Sequence, residues 1–300
     1  MGEALVDLVV RTDGSIQPFL GGGPFNTART LGRLDVPVRY LGRLSDDVFG
    51  WQLADALTAD GVDVSMVITT ADPTTLALAT LDDAGAASYR FYFEGTSVPG
   101  LTAERALAEV RGVDERLEAL HVGTLGLVLE PFAAASEAVV EELHGSALVF
   151  VDPNIRPAVI TDRAGYLTRL DRILSRADVV KVSDEDLAWL VPDTPVETAA
   201  KQLIAKGAGL VLVTMGGRGA TVVSDSFVAD VAAERVTVVD TIGAGDAFAG
   251  GVLAWWHDHG RPGLLDRSAA CEAAAFGCRV AGATVAKAGA NPPRRAELMG

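Results

Sequence analysis

Residues 240–251 read DTIGAGDAFAGG, with four glycines between 243 and 251 and an aspartate among them. Glycine costs a helix roughly 1 kcal/mol relative to alanine. Their density, where a β-branched strand at 235–239 hands over to a long apolar helix at 243–257, needs a reason. A helix start offers unpaired N–H groups and the positive end of its macrodipole. Glycines let a bulky anion approach those donors without a Cβ in the way. The turn reads as a concave anion pocket at the opening of that helix, near Gly243, Ala244 and Gly245. Asp246, a carboxylate beside an anion, makes sense as the base for a hydroxyl that attacks it. A helix-capping aspartate in a glycine turn is the alternative. A dinucleotide loop would come early and carry an acidic residue about 20 positions later, and the chain has no GxxxxGK followed by Ser or Thr.

Outward from this turn, short β-branched runs alternate with segments of helical period. The strand-like runs are 5–10, 38–41, 120–122, 148–151, 179–182 and 210–214. The amphipathic segments are 26–34, 50–59, 132–143, 166–175, 198–206 and, near the end, 266–287. Such alternation predicts an α/β fold, a mostly parallel sheet with helices on both faces. Two stretches break the rhythm: VVRTDGSIQPFL (9–20) and TLALATLDDAGAASYRFYF (75–93) each read as a hairpin, turning at Asp13-Gly14 and at 82–85. The chain is therefore expected to form one domain over 1–300, with a small β-sheet lid inserted at 9–20 and 72–97. That sheet is also the expected homodimer contact.

The 300 residues carry a formal net charge of −15. Such acidity argues against nucleic acid and against an anionic membrane surface. The opening MGEALVDLVV has Glu3 and Asp7 inside its apolar run, unlike a signal peptide, and no run approaches a membrane span. The chain thus reads as cytoplasmic, with Cys271 and Cys278 reduced in the core.

Taken together, DTIGAGDAFAGG and the motifs that precede and follow it in order resemble the PfkB family of carbohydrate kinases, with a ribokinase-like fold, over nearly the whole chain. The resemblance implies ATP and Mg²⁺ as reaction partners, Asp246 as catalytic base and the 242–245 backbone as the hole for the transferred phosphoryl. GEALVD (2–7) with GGGPFN (21–26) is similar to the family's sugar-binding pair. It implies Asp7, Gly21, Gly22 and Asn26 as contacts to a small-molecule sugar, whose hydroxyls both donate and accept. DPNIR (152–156) resembles the matching segment of fructokinases and keto-deoxygluconate kinases. Arg156 then reaches the acceptor or a phosphate, or is an exposed loop arginine.

On the nucleotide side, KVSDEDL (181–187) falls where the family has Asn-x-x-Glu. Lys181 and Ser183 are expected near the phosphates, and Asp186 near Mg²⁺ through water. Read locally, Ser183-Asp184 is a helix N-cap. VTMGGRGA (213–220) resembles the ATP loop, implying Thr214, Gly216 and Gly219. Cys278 stands where many relatives place an adenine-side asparagine. The resemblance also implies a monovalent cation (K⁺) on backbone carbonyls at Asp240, Ile242 and 285–290, which leaves no side-chain signature. Phe93 stands where keto-acid kinases are expected to hold a carboxylate with arginine, so a neutral sugar fits better, fructose first. A nucleoside or keto-deoxygluconate kinase of the same fold, or a non-catalytic sugar sensor, are the competing readings.

Overall fold

The computed structural model describes residues 1–10, 13–81 and 87–298. In chain order the elements are β1 (Leu5–Val10), β2 (Ile16–Gly21), α1 (Gly23–Arg33), β3 (Gly42–Ser45), α2 (Val48–Ala59), β4 (Val67–Thr70), β5 (Leu76–Leu81), β6 (Ala87–Tyr92) and α3 (Ala103–Arg111). Then come β7 (Ala119–Gly123), α4 (Phe132–Leu143), β8 (Leu148–Asp152), α5 (Arg163–Leu174), β9 (Val179–Ser183), α6 (Asp184–Leu190), α7 (Val196–Ala205) and β10 (Leu210–Thr214). β11 (Ala220–Val223), β12 (Val228–Val231), α8 (Ala244–Asp258) and α9 (Arg267–Val285) complete the set.

The large sheet has the order β12-β11-β10-β9-β8-β7. β7 through β10 run parallel, and β11 and β12 add an antiparallel edge. Strand alternation explains why β10 is apolar on both faces: its Val211 and Val213 enter one core, its Leu210 and Leu212 the other. The first core packs under α3 to α7, and the second under α1, α8 and α9.

The hairpins form a separate four-stranded sheet, β2-β1-β5-β6, in which β1 and β5 are parallel. Its first strand begins at Leu5, so the run at 5–10 belongs to this sheet and not to the large one. The turn expected at 82–85 lies outside the described residues.

Two expected strands do not form as drawn. The 38–41 run makes only an isolated bridge, Arg39 to Asp63, and β3 begins at Gly42. The 235–239 run pairs with no strand among the described residues, and Val238 is 59% exposed. β-Branching suits a strand only where a ladder partner exists; here Val239 and Asp240 donate instead to the Val285 carbonyl, at 2.8 and 3.2 Å.

The four glycines of 243–251 also divide their work. A methyl on Gly250 would lie 2.6 Å from the Thr30 side chain of α1, and one on Gly251 would lie 2.9 Å from Gly277 of α9. Those two serve helix packing; only Gly243 and Gly245 shape the turn.

Candidate active site

Gly243 sits at φ 75° in the left-handed region and caps α8, a conformation that glycine adopts without a Cβ penalty. Not every amide of the turn stays free. Ile242 N–H donates to Asp240 Oδ1 at 3.0 Å, and Ala244 N–H turns back to the Thr241 carbonyl at 3.2 Å. This corrects the expected hole: among the described residues, the N–H groups at this helix start that donate to neither backbone nor side chain are those of Gly243, Gly245 and Asp246. They carry the helix's partial positive charge.

Asp246 lies in the first turn of α8 and is buried. Asn26 Nδ2 donates to its Oδ2 at 2.9 Å, and Thr27 Oγ1 to its carbonyl at 3.3 Å, so α1 and α8 are joined at this point. Burial raises its carboxyl above the ordinary range, while Asn26, Lys181 and Arg156 pull it back. A buried carboxylate with a raised pKa and a fixed orientation has the properties of a general base.

Around it lie the residues expected on the acceptor side. β1 carries Asp7, and a methyl on Gly21 would lie 2.2 Å from Asp7 Oδ2. Gly22, at φ 112°, caps α1 without a side chain. Its missing cap comes from far upstream: Gly23 N–H donates to Glu3 Oε1 at 3.0 Å. A first side-chain carbon at Gly23 would lie 2.7 Å from Thr124 Oγ1, 3.1 Å from Asn154 Nδ2 and 3.3 Å from Asp246 Oδ1. Four segments therefore converge on that glycine. Asn154 and Thr124 hold each other at 3.2 Å, both at positive φ. Arg156 Nη1 donates to the carbonyls of Asn154 and Ile155 at 3.2 and 3.1 Å. Its charge lowers the carboxyls of Glu3, Asp7 and Asp246, so it faces this cluster.

Burial nonetheless lifts Asp7 to about 6 and Glu3 to about 8. Among the described residues, Glu3 Oε2, Asn26 Oδ1 and Asp152 Oδ1 are buried without a hydrogen-bond partner. Unmet buried polar atoms are costly in a finished core and expected where a polar ligand completes the site.

Behind the turn stands a buried ion pair. Lys181 Nζ of β9 donates to Asp152 Oδ2 of β8 at 3.0 Å, with the side chains 4% and 3% exposed. Burial works against the ammonium, but Asp152, Asp246 and Asp186 hold its pKa above the ordinary lysine value. The same ammonium lies 2.7 Å from where a methyl on Gly245 would sit, so it backs the open amides.

Ser183 caps α6: Asp186 N–H donates to its Oγ at 2.9 Å, and Ser183 N–H returns to Asp186 Oδ2 at 3.2 Å, a reciprocal cap. Asp186 Oδ1 accepts from Ile155 N–H at 2.8 Å and thereby fixes the loop that carries Arg156. Both its oxygens already serve the backbone. Thr214 ends β10, and Gly216 and Gly219 follow at φ 54° and 94°. Arg218 is exposed and pairs with Asp184 at 2.6 Å. Cys278 is 6% exposed in the core of α8 and α9, with burial lifting its thiol to about 11. Asp240 Oδ2 accepts from Gly289 N–H at 2.9 Å, which brings the 240s turn against the 285–290 loop.

Glu3, Thr124, Asn154 and Asp152 were not singled out as site residues by the sequence. Glu3 left a signal, a charge within an apolar run; Asp152 and Asn154 lie in DPNIR, but their convergence with Thr124 depends on contacts between distant segments.

A profile described as pfkB family carbohydrate kinase matches residues 1–297. A fructokinase from Rhizobium leguminosarum bv. trifolii is 38% identical over 257 residues, 84% of this chain and 77% of that protein. Among solved structures, a fructokinase with bound ATP from Xylella fastidiosa superposes with a TM-score of 0.88 at 26% identity, covering 99% of this chain and 95% of that one. A fructokinase from Vibrio cholerae O395, in a form bound to fructose, ADP and calcium ion, gives 0.87 at 26% identity, with 99% and 96% covered. A double-mutant form of that enzyme is described with fructose, ADP and potassium ion, with 25% identity and a TM-score of 0.87 over 99% of this chain and 95% of that one. With its ribokinase-like fold and this site, the chain is a sugar kinase and belongs to the pfkB family of carbohydrate kinases.

Proposed function

We propose that the protein transfers the γ-phosphoryl group of Mg·ATP to a hydroxyl of a neutral sugar, with fructose as the favoured acceptor. The observation that carries the reading is the placement of Asp246 between Asn26 and the open amides of its own helix start. The sugar hydroxyl gives its proton to the Asp246 carboxylate. Its oxygen then forms the bond to the γ-phosphorus as the bond to the ADP oxygen breaks. The Gly243, Gly245 and Asp246 amides and the Lys181 ammonium face the charge of the transferred group. Asp7, Asn26 and Asn154 hold sugar hydroxyls, and Thr214, Gly216 and Gly219 border the nucleotide.

Neutrality of the acceptor follows from charge. Asp7 and Asp246 lie in the field of Arg156, and Lys181 also acts on Asp246, while Glu3, held near 8 by burial, carries its proton at neutral pH. A substrate carboxylate would meet the Asp7 and Asp246 carboxyls beside that guanidinium. The described residues hold no group of three or more His, Cys, Asp or Glu side chains able to ligate a metal. Mg²⁺ would be carried on the nucleotide phosphates and met only through water by Asp186, whose oxygens accept from the Ile155 and Ser183 N–H groups. When bound, Mg²⁺ supplies charge neutralisation. A K⁺ ion on carbonyls at 240, 242 and 285–290 would sit where Asp240 joins the two loops. The small sheet closes over the sugar as a lid and is the surface for a homodimer. No helix among the described residues is long and apolar enough to cross a membrane.

Coupled ADP release with Mg·ATP over fructose, ribose, keto-deoxygluconate, glucosamine and adenosine tests the reading. Fructose is expected to give the highest kcat/KM. Highest turnover with adenosine or the keto acid, or no sugar-dependent ADP release, contradicts it.

A further inference from the structure

Asp60 closes α2 as its C-cap and is 4% exposed. A carboxylate at that end of a helix faces the negative pole of the macrodipole, so local sequence gives no reason for it. The reason lies across the fold. Arg29 Nε of α1 donates to Asp60 Oδ2 at 2.7 Å and Arg33 Nε to Oδ1 at 2.8 Å, and Arg294 approaches the same Oδ1 at 3.4 Å. Ion clusters drawn out of water add little stability over apolar packing of the same volume, and their best-attested use is to fix geometry.

The geometry fixed here reaches the catalytic turn. A guanidinium is planar and rigid, so a carboxylate on its Nε edge sets where Nη1 points. Arg33 Nη1 donates to Asn291 Oδ1 and to the Pro292 carbonyl, both at 2.5 Å, and Arg29 Nη1 to the Ala290 carbonyl at 3.4 Å. The start of the same segment is held by Asp240 Oδ2, which accepts from Gly289 N–H at 2.9 Å. Between these holds Ala290 packs on the turn: a methyl on Gly243 would lie 2.7 Å from Ala290 Cβ. Gly243 carries one of the open amides. Arg29 and Arg33 stand three and seven positions after Asn26, on one face of α1, and Asn26 itself holds Asp246.

We propose that Asp60 is a positioning residue for phosphoryl transfer. It orients Arg29 and Arg33 so that they clamp 290–292 onto Gly243 and thereby fix the amides that face the transferred group. This rests on the reading of that turn as the transfer site. Asp60 itself touches no reacting atom; it acts through the two arginines. Asp7 and Asn154 lie on other segments, so loosening the clamp acts on the transfer rate and spares the sugar KM. Misplacing reacting groups by about 1 Å costs on the order of 100-fold, so a clamp that is loosened but not lost is expected to cost about tenfold.

The test uses Arg33→Lys, which keeps a charge beside Asp60 but cannot span Asp60 and the 291–292 oxygens as a fork does. Steady-state ADP release is read beside thermal unfolding and hydrogen exchange at the Gly289 amide. Arg33→Lys is expected to lower kcat about tenfold with the fructose KM within about twofold. It is also expected to speed exchange at Gly289 by about tenfold. The double variant Asp60→Asn/Arg29→Met removes one charge of each sign, so its Tm should stay within about 5 °C of wild type while kcat and Gly289 protection fall as in Arg33→Lys. Unchanged kcat and Gly289 exchange in both proteins, whatever their Tm, overturns the proposal: the cluster then joins α1 to α2 and nothing more. Equal changes in the sugar and ATP KM, the mark of a disturbed fold, or failure of the double variant to fold also overturn it. Gly289 exchange needs no substrate, so a wild type without sugar-dependent ADP release refutes the kinase reading and is told apart from failure of the clamp.

Discussion

Replacing Lys181 by methionine separates two roles that one ammonium holds, neutralising Asp152 and backing the amide of Gly245. Removing one partner of a buried ion pair costs about 3–5 kcal/mol, because the other charge is left unpaired. At roughly 2–4 °C per kcal/mol, K181M is expected to lose about 10 °C of Tm. Loss of a preorganised charge facing the transferred group is worth about 3 kcal/mol, or about 100-fold in kcat. The double variant K181M/D152N removes both charges, and replacing both partners of a buried pair is close to neutral for stability. It is expected to regain most of the Tm while kcat stays about 100-fold down and the sugar KM moves less than about threefold. The assay is steady-state ADP release beside thermal unfolding for wild type, K181M, D152N and the double variant. If kcat in the double variant returns with the Tm, Lys181 serves folding alone and its place in the transfer step is wrong.

Two further changes test the acceptor side. Burial holds the Glu3 carboxyl near 8, so it contributes stability that is complete below pH 4.5 and is lost as pH rises through 8. Glu3→Gln mimics the protonated form, so its Tm advantage over wild type should grow between pH 5 and 9. The Met1 amino group, lowered to about 5, is common to both proteins, and a Tm difference flat with pH would contradict the buried-acid reading. Gly23→Ala places a methyl among Thr124, Asn154 and Asp246, so the sugar KM should rise by about tenfold or more while the ATP KM holds. Equal changes in both would show that the methyl disturbs the fold and not the sugar pocket.

How much of this was readable in the sequence depends on range. The Ser183 N-cap, the Asp13-Gly14 hairpin and the start of α8 are written within a few residues, and each was legible, though the return bond from Asp186 to the cap was not. The β-branched runs at 38–41 and 235–239 were legible as apolar extended chain but not as strands, because a ladder needs a partner that local sequence does not name. The site lies at the other extreme. Asn26 meets Asp246 across 220 positions, and Thr124, Asn154 and Gly23 come from three separate segments. Motif order placed Asp7, Asn26 and Asp246 in one family pattern. It could not show that Ile242 and Ala244 spend their amides inside the turn, nor that Gly250 and Gly251 exist for packing against α1 and α9.

Asp246→Asn tests the central claim most directly, since the amide still accepts from Asn26 Nδ2 but cannot take a proton. Isothermal titration with sugar and with nucleotide, set beside single-turnover ADP formation, should show both ligands bound at near wild-type affinity. The rate of phosphoryl transfer should fall by about 10²- to 10⁴-fold, the usual share of a general base. Transfer at close to the wild-type rate in a variant that binds both substrates would contradict the account.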